Sequence, residues 1–187
     1  MIQNKKNGFT LVECLVAISI LMVGILSNFI LVTRALFNAT VIEQRLTASF
    51  LAQEGIELVR NIRDTNFIKG LKGGGAGWKD KLTNGCYTVE ALPTGGIITL
   101  TSLPVTGCGS IPPKSQPLKL KHINSNSDNI DIYGYSISGE ETPFYREIEI
   151  EGVGSNEIKV VSHLMWKTKN TWFDLHVEDH LYNWLSI

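Results

Sequence analysis

An α+β fold is predicted, with one long N-terminal α-helix packed on a C-terminal antiparallel β-sheet domain. Three observations carry that expectation. Residues 9–32 form a run of 24 residues with a single charge, Glu13. Helical composition continues beyond it to about residue 67, with no proline before Pro93. From residue 78 onward, short β-branched and aromatic runs alternate with polar residues and are separated by glycine and proline. The chain is therefore divided into a polar leader (1–8), an apolar helix (9–33), its continuation outside a membrane (34–70) and a β domain (71–187).

A chain of 187 residues suits one domain plus an additional element. The formal net charge of −1 offers no global electrostatic case for binding nucleic acid. Hydrophobic residues make up 43% of the sequence, but the concentrated apolar stretch lies almost wholly in the first 33 residues.

At about 1.5 Å per helical residue, the apolar run exceeds the roughly 30 Å hydrocarbon core of a bilayer. Lys5 and Lys6 precede it, so the positive-inside rule places Met1 in the cytoplasm and the bulk of the chain outside. A secretory signal peptide has a shorter apolar region and is cut after it. Here the candidate cleavage site, Gly8-Phe9, comes before the apolar run, so cleavage would leave the anchor on the mature protein.

The segment Lys5-Lys6-Asn7-Gly8-Phe9-Thr10-Leu11-Val12-Glu13 closely resembles the class III signal of type IV pilins and type II secretion pseudopilins. The resemblance covers the first fifth of the chain. It is specific because leader, glycine, phenylalanine, glutamate and apolar helix occur together in that order. It implies that a prepilin peptidase cuts between Gly8 and Phe9 and that Phe9 is then N-methylated. It also implies, as partners, other pilin or pseudopilin subunits, an inner-membrane assembly platform, and membrane lipid before assembly. Within that family the glutamate equivalent to Glu13 meets the free α-amine of a neighbouring subunit. A carboxylate in a membrane helix costs roughly 2.5–3.5 kcal/mol on insertion scales, so a partner or a task for Glu13 is expected on physical grounds too. No Lys or Arg lies within one helical turn of it.

Past the membrane span, Ala48, Leu51, Ala52, Gly55, Leu58, Val59 and Ile62 fall at helical spacing on one stripe. Gln53, Glu54, Glu57, Asn61 and Asp64 occupy the other side. Small residues in the stripe would let a sheet approach closely, and Gly24 and Gly55 are candidates for bends or close contacts. Lys69-Gly70 offers a basic last turn and a stop. A coiled-coil stalk is disfavoured because no heptad is sustained.

Residues 71–77 read as a flexible connector. They lack the preceding strand and the following Lys-Ser/Thr of a phosphate loop. Strands are expected at 86–91 and 97–101, with a further short one at 118–123. Residues 107–113 read as loop, and 122–131 as a polar loop. The clearest unit is a hairpin over 144–167. Ile148 and Ile150 alternate with Glu147, Glu149 and Glu151, and residues 152–156 turn. Ile158, Val160, Leu164 and Trp166 then share one face. Pro143 leaves the start of that hairpin uncertain. Phe173, Leu175 and Val177 alternate in a third strand, and Leu181, Tyr182 and Trp184 read as an apolar tail. The helix stripe is the natural cover for the buried face of this sheet.

Of the three cysteines, Cys14 lies in the apolar run. Cys86 and Cys108 lie in the polar part and can pair, which suits an exported domain. Cys14 reads as a small hydrophobe. His176 and His180, four apart around Glu178, superficially suggest a metal pair, but the local alternation is that of a strand, which would set them far apart on one face. Glu147, Glu149 and Glu151 read as a solvated strand edge. No nucleophile, dinucleotide or metal motif is present, so no catalytic centre, metal or cofactor is expected. The favoured reading is a minor pilin or pseudopilin. Alternatives are a major pilin or tip adhesin on the same scaffold, and a single-pass membrane-tethered enzyme or solute-binding domain with an uncleaved anchor.

Overall fold

The computed structural model describes residues 8, 10–75, 77–92, 97–103, 108–111, 119–125 and 130–184. Residues 1–7, Phe9, Pro93, Gly95, Gly96, Gly107, Pro112, Pro113 and Leu118 lie outside this set. A single helix, α1 (Leu11–Leu71), precedes seven strands: β1 (Gly85–Ala91), β2 (Ile98–Ser102), β3 (Lys119–Ser125), β4 (Ile130–Gly134), β5 (Glu140–Gly152), β6 (Glu157–Thr168) and β7 (Thr171–Tyr182). The chain divides into two units, Met1–Glu43 and Gln44–Ile187. In the first, the described residues from Leu11 onward are helical, and every described apolar side chain except the half-buried Val41 is exposed.

In the second unit α1 lies on an antiparallel sheet, as the sequence predicts. Ala48, Leu51, Ala52, Gly55, Ile56 and Val59 are buried, and Leu58 and Ile62 are half-buried. Gly55 is the point of closest approach. A Cβ there would lie 2.8 Å from Ile148 Cδ1, 3.0 Å from Ser162 Oγ and 3.2 Å from Arg146 Cδ. The helix runs slightly past the expected Lys69-Gly70 stop. Gly73, at φ 77°, closes it with bonds from Gly73 N to Gly70 O (3.0 Å) and from Gly74 N to Lys69 O (2.9 Å). This paired pattern is a Schellman cap, which needs a left-handed residue that glycine supplies without strain.

Strand β5 organises the sheet. It pairs with β6 along residues 144–152, with β1 through Ile148 and Ile150, and with β3 through residues 140–145. A strand has two edges, so β1 and β3 must share the edge opposite β6. The sheet therefore branches along that edge. Pro143, which made the strand start uncertain, is inside β5. The β3–β5 register shifts between Lys119 and Lys121 opposite this stretch, and a bulge is where a strand tolerates a residue without an N–H.

The branch exposes backbone groups that side chains satisfy. Beyond the last β1–β5 pair, Tyr87 with Ile148, the buried Arg146 guanidinium donates to Val89 O (2.9 Å). It also donates to Leu51 O (2.8 Å) and Glu54 Oε2 (2.9 Å) on α1. Tyr135 Oη donates in turn to Arg146 O (2.8 Å). Glu90 accepts from Tyr135 N (2.8 Å), Ser136 N (3.0 Å) and Ser136 Oγ. Burial works against ionisation of Glu90, yet the Ser136 and Tyr135 donors, with Arg146 nearby, outweigh it and hold the carboxyl below its ordinary range.

Apolar residues from helix and sheet form two clusters. One is built on Val59, Val89, Ile148, Ile150 and Val160, the other on Ala48, Leu120, Phe144, Leu164 and Trp166. Three expectations are corrected, and one strand proves longer than its hairpin. Most of the expected polar loop over 122–131 is strand: β3 runs to Ser125 and β4 begins at Ile130, and among the described residues β4 pairs with β3, a partner that its own short sequence does not announce. The β5–β6 hairpin pairs from Phe144, opposite Trp166, as expected, while strand β5 extends back to Glu140 by pairing with β3 through the proline bulge. Leu181 and Tyr182 belong to β7, and Leu181 is buried, because β6 extends far enough to pair with both. The glutamate row is not a strand edge. β5 is central, Glu147 is buried, Glu149 contacts His163 (3.0 Å) and Glu151 contacts Lys159 (2.6 Å).

Candidate functional site at the head of the helix

The described chain at this site begins at the exposed Gly8; Phe9 is outside the described residues. Thr10 is the cap of α1. Glu13 N donates to Thr10 Oγ1 (3.3 Å), and Thr10 N donates to Glu13 Oε2 (3.5 Å). The first helical backbone bond follows, from Cys14 N to Thr10 O (3.2 Å). This reciprocal arrangement is a capping box, which satisfies donors that the first helical turn leaves without partners. The carboxylate also lies where the helix dipole favours negative charge. Glu13 therefore has a local partner that a search for nearby Lys or Arg overlooks. The signal for it was available as Thr-x-x-Glu immediately before an apolar run.

Beyond the cap, α1 is long and apolar enough to cross a membrane. Its side chains include Leu11, 77% exposed, and Leu31, 69% exposed, an apolar surface that water does not tolerate at this extent. The few polar side chains turn their donors inward. Ser19 Oγ donates to Leu15 O (2.8 Å), Ser27 Oγ to Val23 O (2.8 Å), Asn28 Nδ2 to Gly24 O (3.0 Å) and Thr33 Oγ1 to Phe29 O (2.7 Å). A donor satisfied within its own helix removes most of the penalty for placing it in hydrocarbon. The helix thus combines a capped start with a surface suited to lipid or to the apolar helices of other chains. Gly24 has open space around it within this chain.

Cys86 and Cys108 form a disulfide, with their Cα atoms 5.7 Å apart, and Cys14 is a free, exposed thiol on α1. The bridge ties the turn at residues 108–111 over the sheet face opposite the helix. There Gly109 N donates to Glu147 Oε2 (2.7 Å). Gly109 has φ 71°, and a Cβ on it would meet His163 Nδ1 at 2.5 Å, so only glycine fits.

The remaining histidines are dispersed. The rings of His122 and Tyr133 are 4.7 Å apart. His163 and His176 face each other across β6 and β7 with ring centroids 6.5 Å apart. His180 Nδ1 lies 2.5 Å from Glu157 and its Nε2 3.2 Å from Glu178. Hydrogen bonds from the imidazole to those two carboxylates raise the His180 pKa. Among the described residues, no group of three or more His, Cys, Asp or Glu side chains is placed to hold a metal ion.

Comparison with known proteins gives one family match. The model for the prokaryotic N-terminal methylation motif matches residues 3–27. That motif is the class III prepilin signal of type IV pilins and pseudopilins. No curated protein and no solved structure matches the chain.

Proposed function

We propose that this chain is a minor pilin or pseudopilin: a non-enzymatic structural subunit of a type IV pilus-like filament, processed by a prepilin peptidase. The observation that carries the reading is the methylation motif over residues 3–27, leading into a 61-residue helix whose apolar part is wholly exposed. The pilin-like arrangement of one helix on an antiparallel sheet supports it.

On this reading the chain enters the inner membrane with Met1 cytoplasmic and the β domain outside. The peptidase cuts between Gly8 and Phe9 and methylates the new amine. Apolar helices then leave the lipid and bury against one another in the filament core, where lipid-facing side chains find equivalent apolar partners. Glu13, four residues after Phe9 in the sequence, is the anion available to the new α-amine. Between chains, pairing of that charge would select the axial offset of an incoming subunit, because an unpaired buried charge is strongly unfavourable.

N-terminal sequencing of the mature protein tests the reading. A start at N-methylated Phe9 is expected, and Gly8→Val should leave the leader attached. A mature protein that begins at Met1 overturns processing and favours an uncleaved membrane tether.

A further inference from the structure

Strand β2 is the free edge of the sheet beside β1. Its pairing with β1 fixes which way its backbone points. Leu92 N donates to Ile97 O (2.9 Å) and Leu103 N donates to Cys86 O (2.8 Å), and these two bonds bracket the ladder. Bonding alternates along an antiparallel strand, so the odd-numbered residues of β2 turn their N–H and C=O groups toward β1. Ile98 and Leu100 therefore present theirs to the outer edge, where no described strand receives them. Natural sheets guard such edges with proline, charge or a bulge. The five residues of β2 contain no proline and no charge, and their register with β1 is unbroken.

That edge opens into a groove of about 740 Å³ between β2 and the last turns of α1. Residues 97–101 all line it, yet alternation divides their side chains between two faces. Ile98 and Leu100 point toward α1 and pack on the core beside Ile62, while Thr99 and Thr101 point the other way. Consecutive residues of a strand can border one groove only along the strand's edge. Ile62 supplies an apolar wall on the helix side, and Lys69 and Lys81 supply charge that outweighs Asp80, which also lines the groove. Both lysines are exposed, and among the described residues neither has an ion-pair partner. Lys81 has φ 66°, a left-handed conformation that costs a lysine energy. The buried Asn66 holds the turn in that shape, donating to Asp80 O (2.8 Å) and to Trp78 O (3.3 Å).

We infer that this groove binds an extended acidic segment of another protein, which adds to β2 as a further strand. The edge offers donors and acceptors at strand spacing, and an extended backbone is the ligand that matches them. In an antiparallel addition, the residue opposite Leu100 points toward α1 and meets Ile62, so it is apolar. Residues two positions to either side share that face and carry the carboxylates for Lys69 and Lys81. A second β2 is a poor partner, because each groove would bring its lysines against those of the other. The bound segment has no helix to orient, so its addition is compatible with chains anchored through α1 in one membrane. It is also separate from the helix packing proposed above and does not depend on leader processing.

The test uses the full chain in neutral detergent micelles at low ionic strength, where charge pairs are least screened. The probe is a fluorescent peptide of sequence Glu-Thr-Val-Thr-Glu with blocked ends, and binding is read by anisotropy. Saturable binding is expected, and the analogue with lysine in place of both glutamates should bind at least about tenfold more weakly. Methylating the backbone nitrogen of the central valine removes a ladder bond without changing charge, and should abolish binding. The double variant Lys69→Gln with Lys81→Asn should weaken binding about tenfold, while asparagine tolerates the left-handed turn and keeps the fold. Lys167→Gln, on β6 outside the groove, should bind as wild type does. No binding of the acidic peptide by wild type overturns the inference and identifies the two lysines as guards of the edge. Equal binding of the N-methylated peptide also overturns it, because the lysines then act on charge alone. So does an equal loss in Lys167→Gln, which places the contact elsewhere.

Discussion

Replacing Arg146 with methionine removes the group that bridges helix and sheet where the sheet branches. The guanidinium is fully buried and donates to two buried carbonyls, Leu51 O and Val89 O, and to the partly exposed Glu54 carboxylate. A hydrogen bond involving a charged group is worth about 1.5–3 kcal/mol, so the two carbonyl bonds represent about 3–6 kcal/mol. Part of that is returned, because methionine carries no desolvation penalty and Arg146 Nε itself has no hydrogen-bond partner. Glu54 is 40% exposed at its side chain and can be resolvated. The expected net loss is about 2–4 kcal/mol of unfolding free energy. The assay is urea denaturation of the full chain in mild detergent, followed by tryptophan fluorescence, since Trp166 is fully buried beside this region. Arg146→Lys should recover only part of the loss, because an ammonium lacks the planar fork that reaches three acceptors. Wild-type stability in Arg146→Met would refute the view that this side chain closes the branch.

Other consequences follow from the same geometry. Replacing Cys86 and Cys108 with serine opens a loop of sequence separation 22 and should cost about 3 kcal/mol, read as a lower denaturation midpoint that reductant also produces in the wild type but not in the variant. Glu90 has a depressed folded-state pKa, so its contribution is complete above its unfolded value of about 4.3 and is lost as pH falls through the folded value. Glu90→Gln should therefore flatten the acid limb of the stability profile, and an unchanged limb would count against the network. At the head of the helix, Glu13→Gln keeps a residue that can complete the capping box but loses the charge, whereas Glu13→Leu loses both. Both variants should insert in the membrane and fail to enter sheared filaments; if only Glu13→Leu fails, the residue acts as a cap and not as an assembly charge.

Cys86 and Cys108 show how far local reading reaches. Exclusion of Cys14 by its apolar surroundings left them as the natural pair, and they are bonded. The position of the turn they tether, over Glu147 and His163, depends on where three separate strands lie, and the alternation of the glutamate row carries no trace of it.

What the sequence determined by itself is what neighbouring residues encode. The apolar run, the stripe from Ala48 to Val59 and the β5–β6 hairpin are local patterns, and they are legible because helix and strand geometry repeat every few residues. The capping box at Thr10 and Glu13 belongs to the same class, encoded as Thr-x-x-Glu before an apolar run. The tertiary structure alone decided the branch of the sheet, the burial of Arg146 and the strand character of β4. Arg146 bonds to Val89 at a separation of 57 residues and to Leu51 at 95. No local pattern records a partner at that distance, and a charged residue in a strand of alternating glutamates gives no hint of it. Its burial becomes favourable only once two strands diverge and leave a carbonyl without a ladder partner.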